Sequence, residues 1–150
     1  MMDTVKEEAL AYIAAHHVMT LATTGPAGLW AAAVFYVNKE FTFYFLSAGH
    51  TRHAQNIEAQ PRTAVTIQED YADWETIQGI QLEGIVTRLS GQARQTAMAH
   101  YHAKFPFLAQ APAPLQQALL KVNWYKLVTD RLYFIDNGKG FGHRDEIRFS

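Results

Sequence analysis

Residues 29–56 read LWAAAVFYVNKEFTFYFLSAGHTRHAQN, and this stretch decides the fold. Residues 29–37 are a continuous apolar run. A bilayer-spanning helix needs about 20 such residues, so this run is a strand rather than a membrane segment. Asn38, Lys39 and Glu40 form a polar turn. Phe41, Phe43 and Phe45 then alternate with Thr42, Tyr44 and Leu46, the period of two that places alternate side chains on opposite faces of a sheet. The two runs read as an antiparallel hairpin. Ser47, Ala48, Gly49 and His50 break the second strand. Thr51 is placed to cap a short helix over 51–59, which Pro61 ends.

Upstream, Thr4 and Glu7 have the spacing of a capping box. Val5, Ala9, Tyr12, Ile13 and His16 share one stripe, so a helix is expected to about residue 17. A short strand follows over 18–23, and Gly25-Pro26-Ala27-Gly28 turns the chain. Downstream, 63–68 alternates with Val65 and Ile67 on one face. An acidic loop over 69–75 leads to a long strand over 77–89, with Ile80, Leu82, Gly84 and Val86 on one side. Ser90 is placed to cap a helix running to about residue 104, and a proline-rich loop over 105–114 precedes a short helix near Leu115 and Leu119. Strands are expected over 122–128 and 131–135, a turn at 137–140, and one more strand in the tail 141–149. About six strands joined by short turns, with helices at the start and between later strands, define an α+β chain. The antiparallel connections fit a small barrel, since a parallel sheet would need regular crossover helices.

The chain has 150 residues, a length for one domain. Its 49% hydrophobic and 18% charged content excludes a disordered chain. Lys and Arg total 13 against 14 Asp and Glu, so the basic surplus of a generic nucleic-acid binder is missing. With 0 Cys there are no disulfides, zinc ribbons or thiol nucleophiles. Residues 1–8 lack the apolar core of a signal peptide. The expectation is a soluble cytoplasmic protein without a nucleic-acid or membrane partner.

Chemistry concentrates at residues 47–56. A strand ends, a small-residue loop follows and a helix begins, so helix N-terminal amides can meet an anion. Arg52 adds a guanidinium suited to phosphate oxygens, Ser47 and Thr51 add hydroxyls, and His53 adds a titratable cation. Capped surface helices also have this pattern, so the stretch alone leaves both readings open. Ala31, Ala32 and Ala33 are poor strand residues, but their small side chains let a flat ring approach the backbone or a helix pack closely. The pairs His16-His17, His50 with His53, and His100 with His102 lack carboxylate or Cys companions at metal-ligand spacing, so no metal is expected. Phosphate-loop, dinucleotide-fold and nucleophile-elbow patterns are absent. Trp74, Phe105, Phe107, Trp124 and Tyr125 are candidates for a groove or for core.

In its order of pieces the chain resembles the pyridoxamine 5′-phosphate oxidase-like FMN-binding split barrels. The matching runs are LWAAAVFYV, FTFYFLS, Thr51-Arg52-His53, Pro61-Arg62-Thr63-Ala64-Val65 and the strand over 79–91. It is most similar to an uncharacterised branch, through Thr51-Arg52-His53-Ala54-Gln55, Lys104-Phe105-Pro106, Phe134-Ile135-Asp136-Asn137 and Gly140-Phe141-Gly142. The resemblance covers nearly the whole chain. It implies a six-stranded antiparallel split β-barrel with peripheral helices, assembled as a homodimer with two FMN sites at the subunit interface. It also implies a flavin-dependent oxidoreductase acting on a small molecule.

The family's phosphate cluster of Ser/Thr, Arg and Lys falls on Thr51, Arg52 and His53, the last a weaker charge at neutral pH. Ser47 matches a hydroxyl near the flavin, and Ala32, Ala33 and Val34 match the strand whose backbone faces the ring. The oxidases' Gln from the other subunit falls on Gly79, leaving Gln81 or Gln78 as its stand-in. The Arg-x-His substrate segment has no counterpart, which argues against pyridoxamine phosphate oxidation. His50 and Tyr36 are the polar groups placed for substrate contact. The alternative is a non-catalytic carrier or sensor, since related split barrels bind haem or the deazaflavin F420, with His50 or His143 as axial ligand. If His53 binds phosphate as a cation, affinity should rise as the pH falls through its titration.

Overall fold

Tyr36 splits the apolar run at 29–37 into two strands. Its backbone N–H donates to His17 O at 3.0 Å. Its hydroxyl, fully buried, donates to Ile13 O at 2.6 Å. The computed structural model describes residues 4–149. Helix α1 (Thr4–Ala15) leads into strands β1 (Val18–Thr23), β2 (Trp30–Phe35), β3 (Val37–Lys39) and β4 (Thr42–Ser47). Helix α2 (Arg52–Ala59), strands β5 (Arg62–Gln68) and β6 (Gln78–Leu89), and helices α3 (Gly91–Lys104) and α4 (Ala113–Lys121) follow. Strands β7 (Asn123–Asp136) and β8 (Arg144–Ile147) complete the chain, with 3-10 turns at Trp74–Thr76, Pro106–Gln110 and Asn137–Lys139.

The sheet order is β2-β1-β5-β6-β7-β4-β3, with β8 beside β7 and every pairing antiparallel. Strands β2 and β3 stand at opposite ends of that order, yet only Tyr36 separates them in sequence. Chain continuity therefore curls the sheet until its ends approach, forming a half-barrel. This is the α+β antiparallel fold that the sequence indicates. Among the described residues the sheet has eight strands where about six were expected: the apolar run 29–37 divides into β2 and β3, and the tail adds β8.

Phe43, Phe45, Val65, Ile67, Ile80 and Leu82 pack inside the curl, where Ala9, Tyr12 and Ile13 of α1 cover them. A smaller cluster of Val37, Leu89, Ala97, Tyr101, Phe105 and Trp124 lies under α3. Lys104 at the end of α3 donates to His16 O, places a cation at the end of α1, and rests over the Tyr36 ring at 4.2 Å.

Four local readings change. The hairpin expected between residues 29–37 and 41–46 is confined to Val37–Lys39 against Thr42–Tyr44, because the longer part of the apolar run, β2, pairs with β1 instead. Thr4 is already helical, so it is not the cap of α1, and the residues before it lie outside those described. Ser90 occupies the cap position of α3, but its side chain makes no cap hydrogen bond. The two strands expected over 122–135 are one, because β6 pairs with β7 along nearly its whole length and absorbs the irregularity as a bulge between Glu83 and Gly84. At the bulge a Cβ on Gly84 would lie 2.2 Å from Val128 O and 2.9 Å from Leu127 Cδ2. Gly84→Ala should therefore destabilise the fold by about 1–3 kcal/mol in urea unfolding, as the backbone must move to relieve the overlap. An unchanged midpoint would show that β7 is not held this closely.

Candidate functional site

The corner where β4 ends and α2 begins is built from its cap outward. Thr51 is extended (φ −66°, ψ 150°), and its Oγ1 accepts from Ala54 N at 3.3 Å while donating to Ala48 O at 2.9 Å. No acidic side chain occupies the first turn of α2, so nothing there neutralises the partial positive charge of the helix end. Arg52 follows. Its Nη2 donates to Ala27 O at 2.6 Å and to Leu29 O at 3.3 Å, and its guanidinium carbon lies 4.4 Å from the centre of the Trp30 ring. Its Nε is buried without a hydrogen-bond partner, and among the described residues Arg52 makes no ion pair. Two carbonyls and an indole fix the guanidinium in place without cancelling its charge.

His53 turns inward. Its Nε2 lies 2.5 Å from Ser47 Oγ and 3.4 Å from Thr51 Oγ1, and both His53 and Ser47 are buried. Burial pulls the imidazole below its ordinary pKa, so the neutral ring is favoured at neutral pH. The sequence-based image of His53 as a second cation changes accordingly: the ring joins the end of β4 to α2, and Arg52 supplies the charge. The sequence reading also passed over Asn56. Its Nδ2 donates to Thr23 Oγ1 at 3.2 Å and Gly28 O at 3.3 Å, tying α2 to the turn that carries the Arg52 acceptors. The signal was available, since Asn56 sits beside Ile57 and three after His53, on the side of α2 that packs inward.

Strand β2 ends the sheet order and pairs with β1 on one side. Ala31 and Ala33 are exposed, while Ala32 and Val34 are half-buried. This edge offers backbone amides and carbonyls flanked by small side chains. Gln81 is not brought to the corner within one chain. Pairing runs Ala33–Thr20–Thr66–Gln81 across β2, β1, β5 and β6, which puts Gln81 on the same sheet face as Ala33 but three strands away, roughly 14 Å at the usual strand spacing. Gln78 instead donates to Asp136 Oδ2 at 3.3 Å.

Tyr36, expected at the substrate, is a core residue, because its apolar ring and hydroxyl both find partners inside. His50 is exposed in the loop before α2. His143 Nε2 lies 3.0 Å from Asp145 Oδ2. Trp124, Tyr125 and Phe105 are buried, whereas Trp74 and Phe107 are exposed. Among the described residues no three His, Asp or Glu side chains converge as a metal-binding group. No helix among them is long and apolar enough to cross a membrane.

The curled antiparallel sheet and its helices α1–α4 define the class as a split barrel. Residues 5–129 match the family described as pyridoxamine 5′-phosphate oxidase, and the chain belongs to that family. A relative in Photorhabdus laumondii, UPF0306 protein plu4501, is 35% identical over 135 residues, covering 89% of this chain and 88% of the relative. The structure of a heme binding protein from Mycobacterium smegmatis superposes with a TM-score of 0.76 at 22% identity, covering 99% of this chain and 59% of that one. A FAD-binding protein from Mesorhizobium loti superposes at 0.65 with 14% identity, covering 87% and 92%.

The buried His53 makes the corner sensitive to acid. Its folded pKa lies below the ordinary value of 6.5, so below that pH the unfolded chain binds a proton that the folded one resists. Stability is therefore complete above pH 6.5 and falls as the pH drops toward the folded value. Comparing Tm at pH 7.5 and pH 5, the wild type should lose more than His53→Gln, which keeps a hydrogen-bonding group but does not titrate. Equal losses in the two proteins would mean that His53 is not buried as described.

Proposed function

We propose that this chain is a flavoprotein that binds FMN noncovalently, and that it works as a flavin-dependent oxidoreductase on a small molecule. The observation that carries the reading is the half-buried Arg52 guanidinium, held by two carbonyls and an indole without a carboxylate partner, next to an uncompensated helix N-terminus. A dianionic phosphate is the ligand such a corner fits best, since it offers several oxygens and the missing counter-charge. Thr51 and the first amides of α2 fix the position of that phosphate, and Arg52 supplies charge. Ala32, Ala33 and Val34 on the free edge of β2 offer backbone donors and acceptors to a flat ring. When bound, the flavin supplies the electron transfer; the protein supplies position and shielding.

In this reading the functional unit is a homodimer with two sites at the subunit interface. The free edge of β2 and the distance of Gln81 from the corner within one chain support it, because a second subunit can bring a polar side chain over the ring. A second reading, a haem carrier, is favoured by the Mycobacterium smegmatis likeness and by the exposed His50 beside the corner. The two differ in colour: flavin bands support the first, and a Soret band supports the second.

Arg52→Ala should weaken FMN binding by about 1.5–3 kcal/mol, roughly 10- to 150-fold in Kd, the range for a hydrogen bond to a charged group. Riboflavin lacks the phosphate, so its affinity should change little. Fluorescence titration of both flavins measures this, and an unchanged FMN Kd in the variant removes Arg52 from the site.

A further inference from the structure

A second cationic cleft lies away from Arg52, between the end of β6, the start of α3 and the α4–β7 junction. It has a volume of about 610 Å³, in the range of small-molecule sites, and its walls include Arg88, Arg94, Lys121, Ser90 and Trp124. Three cations converge there with little to balance them. Arg88 has one carboxylate, Glu58, at 3.9 Å. Arg94 Nη1 meets the Met98 thioether at 3.3 Å, a weak acceptor. Among the described residues Arg94 and Lys121 form no ion pair.

The N-terminus of the 14-residue helix α3 opens at the same place. The Ser90 hydroxyl makes no cap bond, and the first turn has no acidic residue. An independent observation points to a ligand. Trp124 is 2% exposed, and its indole Nε1 has no hydrogen-bond partner. The Tyr101 ring, perpendicular to it at 5.2 Å, holds the indole in place at the cleft wall. A buried donor without an acceptor is costly, and because Trp124 lines the cleft, a ligand that opens this wall satisfies it.

We propose that this cleft is a second binding site, specific for the phosphate group of a small anionic molecule. Guanidinium forks from Arg88 and Arg94, the Lys121 ammonium and the amides of α3 surround the phosphate, and the Trp124 indole donates to one of its oxygens. Leu120 and Val122 give the rest of the molecule an apolar wall. The site shares none of these side chains with the Arg52 corner and is independent of the flavin reading.

The test follows the three indole N–H signals in proton–nitrogen correlation spectra of the full chain titrated with inorganic pyrophosphate. Trp30→Phe and Trp74→Phe, at two exposed positions, identify the Trp124 signal by elimination. The signal should shift with saturation. The shift should persist in Arg52→Ala, and it should vanish in Arg88→Ala/Arg94→Ala and weaken at least 5-fold in affinity in Lys121→Ala. A Trp124 signal that stays still overturns the site. So does a shift reproduced by sodium chloride at matched ionic strength, or one that survives the double substitution. Lys121 is exposed, so its variant keeps the test decisive if the double variant fails to fold.

Discussion

Asn56 is the constraint on which the corner depends. One amide reaches from α2 to Thr23 at the end of β1 and to Gly28 in the turn that follows. The approach is close enough that a Cβ on Gly25 would fall 2.3 Å from Asn56 Oδ1, so the turn needs glycine there for lack of space. With α2 held against that turn, Arg52 finds the carbonyls of Ala27 and Leu29 and the face of Trp30. The guanidinium is thereby ordered in advance. An anion arriving at the corner need not bear the cost of freezing a long side chain, which is otherwise a substantial part of the entropy lost on binding.

The same arrangement separates two jobs that the sequence places side by side in Thr51-Arg52-His53. Arg52 is the charge. His53 is an internal bolt, its neutral ring set against Ser47 and away from solvent. Its titration therefore acts on stability. Within the proposed phosphate site, the geometry gives Arg52 and His53 different tasks.

Much of this was legible in the sequence. The strands within residues 29–46, the tight turn between Val37–Lys39 and Thr42–Tyr44, the Thr51 cap and the cluster of polar groups over 47–56 follow from periodicity and helix-end chemistry, which are local. What was not legible depended on distant partners. Tyr36 lies inside an apolar run and gives no sign that its hydroxyl will find Ile13 O and divide the strand. Residues 122–135 contain Thr129 and Asp130, which read as a break, yet β7 pairs with β6 on both sides of them and Asp130 is the extra residue of the bulge. His53 is polar and next to Arg52, so its sequence suggests exposure. Only the packing of α2 on β4 reveals its burial. Trp124 was legible as an aromatic of core or groove, and its unpartnered indole N–H emerges only with the neighbours in place.

The proposed function rests on a phosphate monoester docking at the Arg52 corner. Crystals soaked with FMN address it directly. The account predicts phosphate oxygens within hydrogen-bond distance of the Arg52 guanidinium and the first amides of α2, with the isoalloxazine ring along the edge of β2. Flavin bound elsewhere while the Ala27 and Leu29 carbonyls alone occupy Arg52 would contradict it.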